Sequence, residues 1–91
     1  MGENAANRVR IRYFAWVREK VGRESEDVEL PATIETVADL VGWLKQRGPQ
    51  YDEAFARPQV VLAALDKVHV KPTAALGATR EIAFFPPVTG G

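Results

Sequence analysis

The order of hydrophobic patterns along the 91 residues predicts an α+β roll, with one main amphipathic helix laid across a mixed sheet of four or five strands. Three observations carry this. Arg8 to Tyr13 alternates strictly, with Val9, Ile11 and Tyr13 on one face and three arginines on the other, the pattern of a half-buried strand. Val37, Leu40, Val41 and Leu44 recur at i, i+3, i+4 and i+7, one apolar helical stripe. The second half of the chain then holds only short apolar runs, at Val60–Leu65, Val68–Val70 and Ile82–Phe85.

Taken in order, the first strand gives way at Ala15–Val21 to a short helix, which Gly22 closes with a left-handed stop. Glu26–Leu30 alternates again and meets Pro31, a second strand expected to lie antiparallel to the first. Thr36 is placed to cap the long helix, with Asp39 three residues on in a reduced capping box, and Gly48-Pro49 is expected to end it. Gly42 inside this helix costs about 1 kcal/mol against alanine, a cost that close packing on the sheet would offset. Tyr51–Ala56 adds a helical turn before Pro58. Val60–Leu65, apolar throughout, reads as a strand covered on both faces, and Val68–Val70 and Ile82–Phe85 complete the sheet. Residues 1–7 read as a disordered lead-in, 8–86 as the folded domain and 87–91 as a flexible tail.

Composition excludes several kinds of chemistry. Twelve lysines and arginines balance twelve aspartates and glutamates, so nothing marks a nucleic-acid or membrane surface, and a cytoplasmic location is the simplest expectation. Without cysteine there is no disulfide framework, thiolate nucleophile or cysteine zinc site. The single histidine, His69, leaves no room for a His-rich metal centre or a Ser-His-Asp triad. Neither a metal nor a bound cofactor is expected.

Attention therefore falls on Phe84-Phe85-Pro86-Pro87-Val88-Thr89-Gly90-Gly91. Pro86 and Pro87 cannot donate ladder hydrogen bonds, so the last strand must stop there and continue as stiff polyproline II. Val88 and Thr89 lead to two glycines that lack a Cβ, a thin tip suited to a narrow channel in another protein. An α-carboxyl with a pKa of about 3.5 is ionised at neutral pH and is a poor electrophile. It needs activation, most simply as an acyl-adenylate made with ATP by a partner. A partner's thiol or persulfide then displaces AMP, leaving a thioester or, after sulfur transfer, a thiocarboxylate on Gly91.

Ile82-Ala83-Phe84-Phe85-Pro86-Pro87-Val88-Thr89-Gly90-Gly91 resembles the C-terminus of the small subunit of molybdopterin synthase, a ubiquitin-like sulfur carrier. Tyr13-Phe14-Ala15-Trp16-Val17-Arg18-Glu19-Lys20-Val21-Gly22 is similar to that family's strand-to-helix segment, and Leu62-Ala63-Ala64-Leu65-Asp66 to another of its stretches. The resemblance runs from about Val9 to Gly91 and implies a β-grasp fold. It also implies a cycle. An E1-like adenylating enzyme activates Gly91, a sulfur-transfer protein converts it to a thiocarboxylate, and the tail enters the large subunit. There it gives sulfur to cyclic pyranopterin monophosphate (precursor Z) in molybdenum cofactor synthesis. Gly91 is then the sulfur donor and Gly90 the steric clearance, while the catalytic side chains belong to the large subunit, with which a heterotetramer is implied. Phe85 and Phe14 are implied members of a hydrophobic docking patch, His69 its rim, and Pro86, Pro87, Val88 and Thr89 the inserted segment. Asp66 stands where the family usually has asparagine, and Leu76–Glu81 lacks the family's acidic-glycine-acidic turn.

Adjacent strand residues face opposite ways, so one of Phe84 and Phe85 must be buried and the other exposed. Arg8, Arg10 and Arg12 read as a solvated sheet face, and Trp16 and Trp43 as packing residues. The same fold and tail also suit a ubiquitin-like modifier joined through Gly91 to target lysines. A carrier for thiamin or tRNA thiolation fits the Phe-Phe-Pro-Pro-Val-Thr approach less well, and a purely structural adaptor leaves the glycines unexplained.

Overall fold

The computed structural model describes residues 7–87, apart from the side chain of Asn7; residues 1–6 of the expected 1–7 lead-in and 88–91 of the expected 87–91 tail lie outside the described residues, and Asn7 itself begins the first strand. Its elements are β1 (Asn7–Tyr13), α1 (Ala15–Val21), β2 (Ser25–Leu30), α2 (Val37–Lys45), α3 (Pro49–Ala54), a 3₁₀ turn (Pro58–Val60), β3 (Leu62–Leu65), β4 (Val68–Val70) and β5 (Glu81–Phe85). The sheet has five strands in the order β2-β1-β5-β3-β4. Among the described residues only the central β1–β5 pair is parallel; β1–β2, β3–β5 and β3–β4 are antiparallel. This mixed sheet packed against helices is the α+β roll that the alternation and the one long helical stripe predict, and the β-grasp fold that the resemblance implies.

Pleat alternation sorts the strand residues. Val9, Ile11, Tyr13, Val28, Leu30, Ala63, Leu65, Ile82 and Phe84 face the helices and join Val17, Val21, Val37, Leu40, Leu44, Tyr51 and Phe55 in one core. Aromatic rings fill its centre. Phe84 meets Phe55 edge-on at 5.0 Å and stacks beside Tyr13 at 6.3 Å. Among the described residues no helix covers the opposite face of the sheet.

Local signals account for the helix ends. Gly22 adopts φ +89° and donates its N–H to the Arg18 carbonyl, the left-handed stop expected of it. Thr36 and Asp39 form a complete capping box, and the Glu35 and Thr36 amides hold the Asp39 carboxyl below its usual range. Four expectations fail. Helix α2 stops at Lys45, and Gly48-Pro49 opens α3 instead, because proline at a first helical position needs no N–H partner. Gly42 is exposed, with nothing within 4 Å of where a Cβ would stand, so it makes no close approach to the sheet. Val60 belongs to the 3₁₀ turn; β3 begins only at Leu62, which is 37% exposed, so the strand is not covered on both faces along its length. Finally, of the two tryptophans expected to be packing residues, Trp43 packs against the core, but Trp16 does not and is exposed.

The β3–β4 hairpin turns through Asp66 and Lys67, both with positive φ, +48° and +74°. That geometry favours Asn-Gly. Asp66 adapts to it by accepting the Arg80 and Glu81 amides on Oδ1, at 3.2 and 3.0 Å, which fixes the start of β5. An asparagine oxygen makes the same bonds. Lys67 has no such compensation, and Lys67→Gly is expected to raise the unfolding free energy by about 1 kcal/mol in urea denaturation.

One carboxylate ties β2 to the helices. The Glu26 side chain is only 6% exposed. Its Oε2 accepts the hydroxyls of Tyr13 and Tyr51 at 2.8 and 2.7 Å, and its Oε1 lies 3.2 Å from Arg23 and 3.1 Å from Arg47. Arg47 also covers the Trp43 and Tyr51 rings. Burial pushes the Glu26 carboxyl up, but the tyrosine hydrogen bonds and the Arg47 charge together outweigh it and hold the carboxyl below its ordinary 4.5. A depressed folded pKa means the unfolded chain binds the proton first as pH falls. Stability from Glu26 is thus present above about pH 4.5 and is lost as pH drops through the folded value. Urea midpoints measured from pH 6 to pH 3 should show this loss in the wild type. Glu26→Gln should cost about 1–3 kcal/mol at pH 7 and lack that acid component.

Candidate functional site

Any function carried by the tail depends on how its root is held. β5 is bonded on both sides: Tyr13 lies opposite Phe84 on β1, and Leu62 opposite Phe85 on β3. The last clamp on the β1 side is the Phe14 amide, which donates to the Phe84 carbonyl at 3.0 Å. The strand ends at Phe85, since Pro86 and Pro87 have no N–H with which to extend the ladder. Phe84 is 1% exposed and acts as the anchor, whereas Phe85 is half-buried on the open face, so the two rings divide as alternation requires. Pro86 is half-buried and Pro87 exposed. Val88, Thr89, Gly90 and Gly91 lie outside the described residues.

Register brings an apolar area together on the uncovered face around Phe85. Leu62 stands opposite it on β3. His69, exposed on β4, places its ring 5.0 Å from the Phe85 ring. Ala83 and Ala64, paired with each other, form the floor beside them. Phe14 is one residue beyond the Tyr13–Phe84 pair, at the N-cap of α1, and is 40% exposed. Its ring lies 5.4 Å from the Arg12 guanidinium. The structure thus places Phe85, Phe14 and His69 on one face at the root of the tail.

Leu62 and Arg12 were not recognisable from sequence as members of this area. Leu62 sits inside a run that is apolar at every position, so its face becomes visible only once the strand is known to start there. Arg12 continues a stripe whose other two members are ordinary surface pairs, Arg8 with Glu29 and Arg10 with Asp27.

A second apolar feature lies on the helix side. A groove of about 360 Å³ between α2, the 3₁₀ turn and β3 is lined by Val37, Val41, Phe55, Pro58, Val61 and their neighbours. No titratable side chain lines it, so it offers nothing to acid–base or nucleophilic chemistry. Among the described residues no group of three or more His, Cys, Asp or Glu could hold a metal ion, and no helix is long and apolar enough to cross a membrane.

Comparison with known proteins agrees with this geometry. The ThiS family model matches residues 11–91. A molybdopterin synthase sulfur carrier subunit of Dictyostelium discoideum is 31% identical over 88 residues, covering 94% of this chain and 99% of that protein. Among solved structures, a Pyrococcus furiosus protein provisionally assigned as molybdopterin converting factor subunit 1 superposes with a TM-score of 0.72 at 27% identity, over 91% of this chain and 100% of that one. Small archaeal modifier protein 1 of H. volcanii shares the fold, with a TM-score of 0.72 at 22% identity, over 90% of this chain and 99% of that one. A sheet order with a parallel central pair, a clamped last strand and a family match from the first strand to Gly91 together show that the chain belongs to the ThiS family, within the β-grasp sulfur-carrier superfamily.

Proposed function

We propose that this chain is the sulfur-carrier subunit of a molybdopterin synthase. The observation that carries the reading is the pairing of a rigidly clamped β5, ending on Pro86-Pro87 beside an exposed apolar face, with a Val88-Thr89-Gly90-Gly91 extension. The similarity to the Dictyostelium discoideum subunit over nearly the whole chain supports it. The face around Phe85, Leu62, Phe14 and His69 docks the partners, and the tail reaches into their active sites. An E1-like enzyme joins the Gly91 carboxylate to the AMP of ATP and releases pyrophosphate. The outer sulfur of a persulfide on a sulfur-transfer protein then attacks the acyl carbon and expels AMP, and a second thiol of that protein cleaves the resulting acyl disulfide, leaving a thiocarboxylate on Gly91 and a disulfide on the partner. The large subunit supplies the side chains that pass this sulfur to cyclic pyranopterin monophosphate. The carrier contributes position, reach and one reactive end, and no catalytic side chain.

Conjugation of Gly91 to protein lysines is the competing reading, and the fold shared with small archaeal modifier protein 1 keeps it in view. Expression of a tagged chain in its own host separates the two. Molybdoenzyme activity that depends on Gly91, without high-mass adducts, supports the carrier. A Gly91-dependent ladder of adducts with molybdoenzyme activity unchanged on deletion supports the modifier.

A further inference from the structure

We propose that Arg12 is a selectivity residue at the edge of the docking face, one that requires the partner to present a carboxylate beside its apolar surface. The inference rests on the reading that this face docks the partner, and it starts from the sheet register. Arg8 stands opposite Glu29 and Arg10 opposite Asp27, but Arg12 stands opposite Ser25. On its other side Arg12 faces Ala83, whereas Arg10 faces Glu81. The alternation that gives the first two arginines an acid therefore leaves the third with none directly across.

Distances show the consequence. Arg8 bonds Glu29 at 2.9 Å, and Arg10 bonds Asp27 through two nitrogens at 3.0 and 3.4 Å. The nearest carboxylate to Arg12 is Glu81, displaced along the strand at 3.8 Å, and no hydrogen bond joins them. The Arg12 guanidinium rests instead against the exposed Phe14 ring. Among the described residues its donors make no side-chain hydrogen bond, and the long Glu81 contact leaves them available at the apolar border, within one strand of Phe85.

An apolar partner surface laid over Phe14 and Phe85 strips water from that guanidinium. With only the long Glu81 contact as counter-ion, the guanidinium then loses more in hydration than a rim contact returns. A partner carboxylate turns the cost into a forked, charge-assisted hydrogen bond. Arg12 therefore discriminates among partners of similar apolar shape by rejecting those that lack the acid.

The test measures affinity of the full chain for the molybdopterin synthase large subunit of the same host, at about 50 mM and 500 mM salt, where screening differs strongly. Arg12→Gln is expected to weaken binding about tenfold at low salt, Arg10→Gln less than twofold, and Arg12→Lys about threefold, with the Arg12→Gln gap shrinking at high salt. Thermal unfolding of each variant confirms that the domain is intact. Equal effects of Arg12→Gln and Arg10→Gln, or a gap indifferent to salt, overturn the proposal. Failure of the wild type to bind overturns it together with the docking face. Normal wild-type binding without sulfur loading at Gly91 removes only the carrier reading.

Discussion

Deleting Gly91 is expected to abolish sulfur loading and cofactor synthesis while moving the unfolding free energy by no more than about 0.5 kcal/mol. Replacing Gly90 with a bulky residue should give the same result. The asymmetry follows from where stability resides. The core draws its C-terminal contribution from Ile82 and Phe84, and the β-ladder ends at Phe85. On the proposed mechanism, Gly91 supplies the only atom that carries sulfur, so no other residue can compensate for its loss. A Cβ at Gly90 widens the one part of the chain that must pass through a channel. The measurement pairs molybdoenzyme activity in the host with urea denaturation of the purified variants. Normal activity with the truncated chain would sink the mechanism; a large fall in stability would sink the separation of scaffold from tail.

Neighbouring phenylalanines should fail in different ways. Phe84→Ala is expected to cost about 3–5 kcal/mol, because it opens a cavity among Phe55, Tyr13 and Ile82 at the centre of the core. A domain of this size has only about 5–15 kcal/mol in total, so much of the fold's margin goes with it. Phe85→Ala is expected to cost under about 1 kcal/mol in stability, since its ring lies on the open face, outside the core, and is already partly exposed. Its loss should appear instead in partner affinity, about tenfold or more, as for an aromatic anchor in an apolar interface. Denaturation and binding titrations on the same two proteins check both halves. A reversed pattern, with Phe85 carrying stability and Phe84 affinity, would contradict the assignment of the two faces.

How much of this was legible depended on whether the signal was local. The β1 alternation, the Thr36–Asp39 cap and the Gly22 stop are written in a few adjacent residues, and each appears in the structure. The opposed phenylalanines follow from the pleat alone. Misreadings arose where one local motif serves two ends. Gly48-Pro49 can close one helix or open the next, and only the three-dimensional path of Gln46 and Arg47 decides which. Val60–Leu65 is apolar at every position, so periodicity could not reveal that a 3₁₀ turn takes its first residue or that Leu62 faces outward.

Long-range features left less trace. Glu26 looks like an ordinary exposed residue of an alternating strand; its partners Tyr51 and Arg47 come from elements far along the chain. That Arg12, half-buried beside Phe14, has no acid directly across depends on Ser25 standing where β2 could have placed one, a fact of register rather than composition. For the tail, the Pro-Pro stop and the glycine pair were readable in sequence, and the clamping of β5 on both sides became evident only from the sheet order.

The central claim is that Gly91 carries sulfur, and its most direct test is the intact mass of the purified chain. The protein is incubated with ATP, a sulfur donor and extract of its own host, and compared with the Gly91 deletion. The account predicts a gain equal to one sulfur in place of one oxygen, localised to Gly91 and missing from the deletion. An unchanged monomer beside a ladder of heavier, Gly91-dependent adducts would contradict it and make the chain a protein modifier.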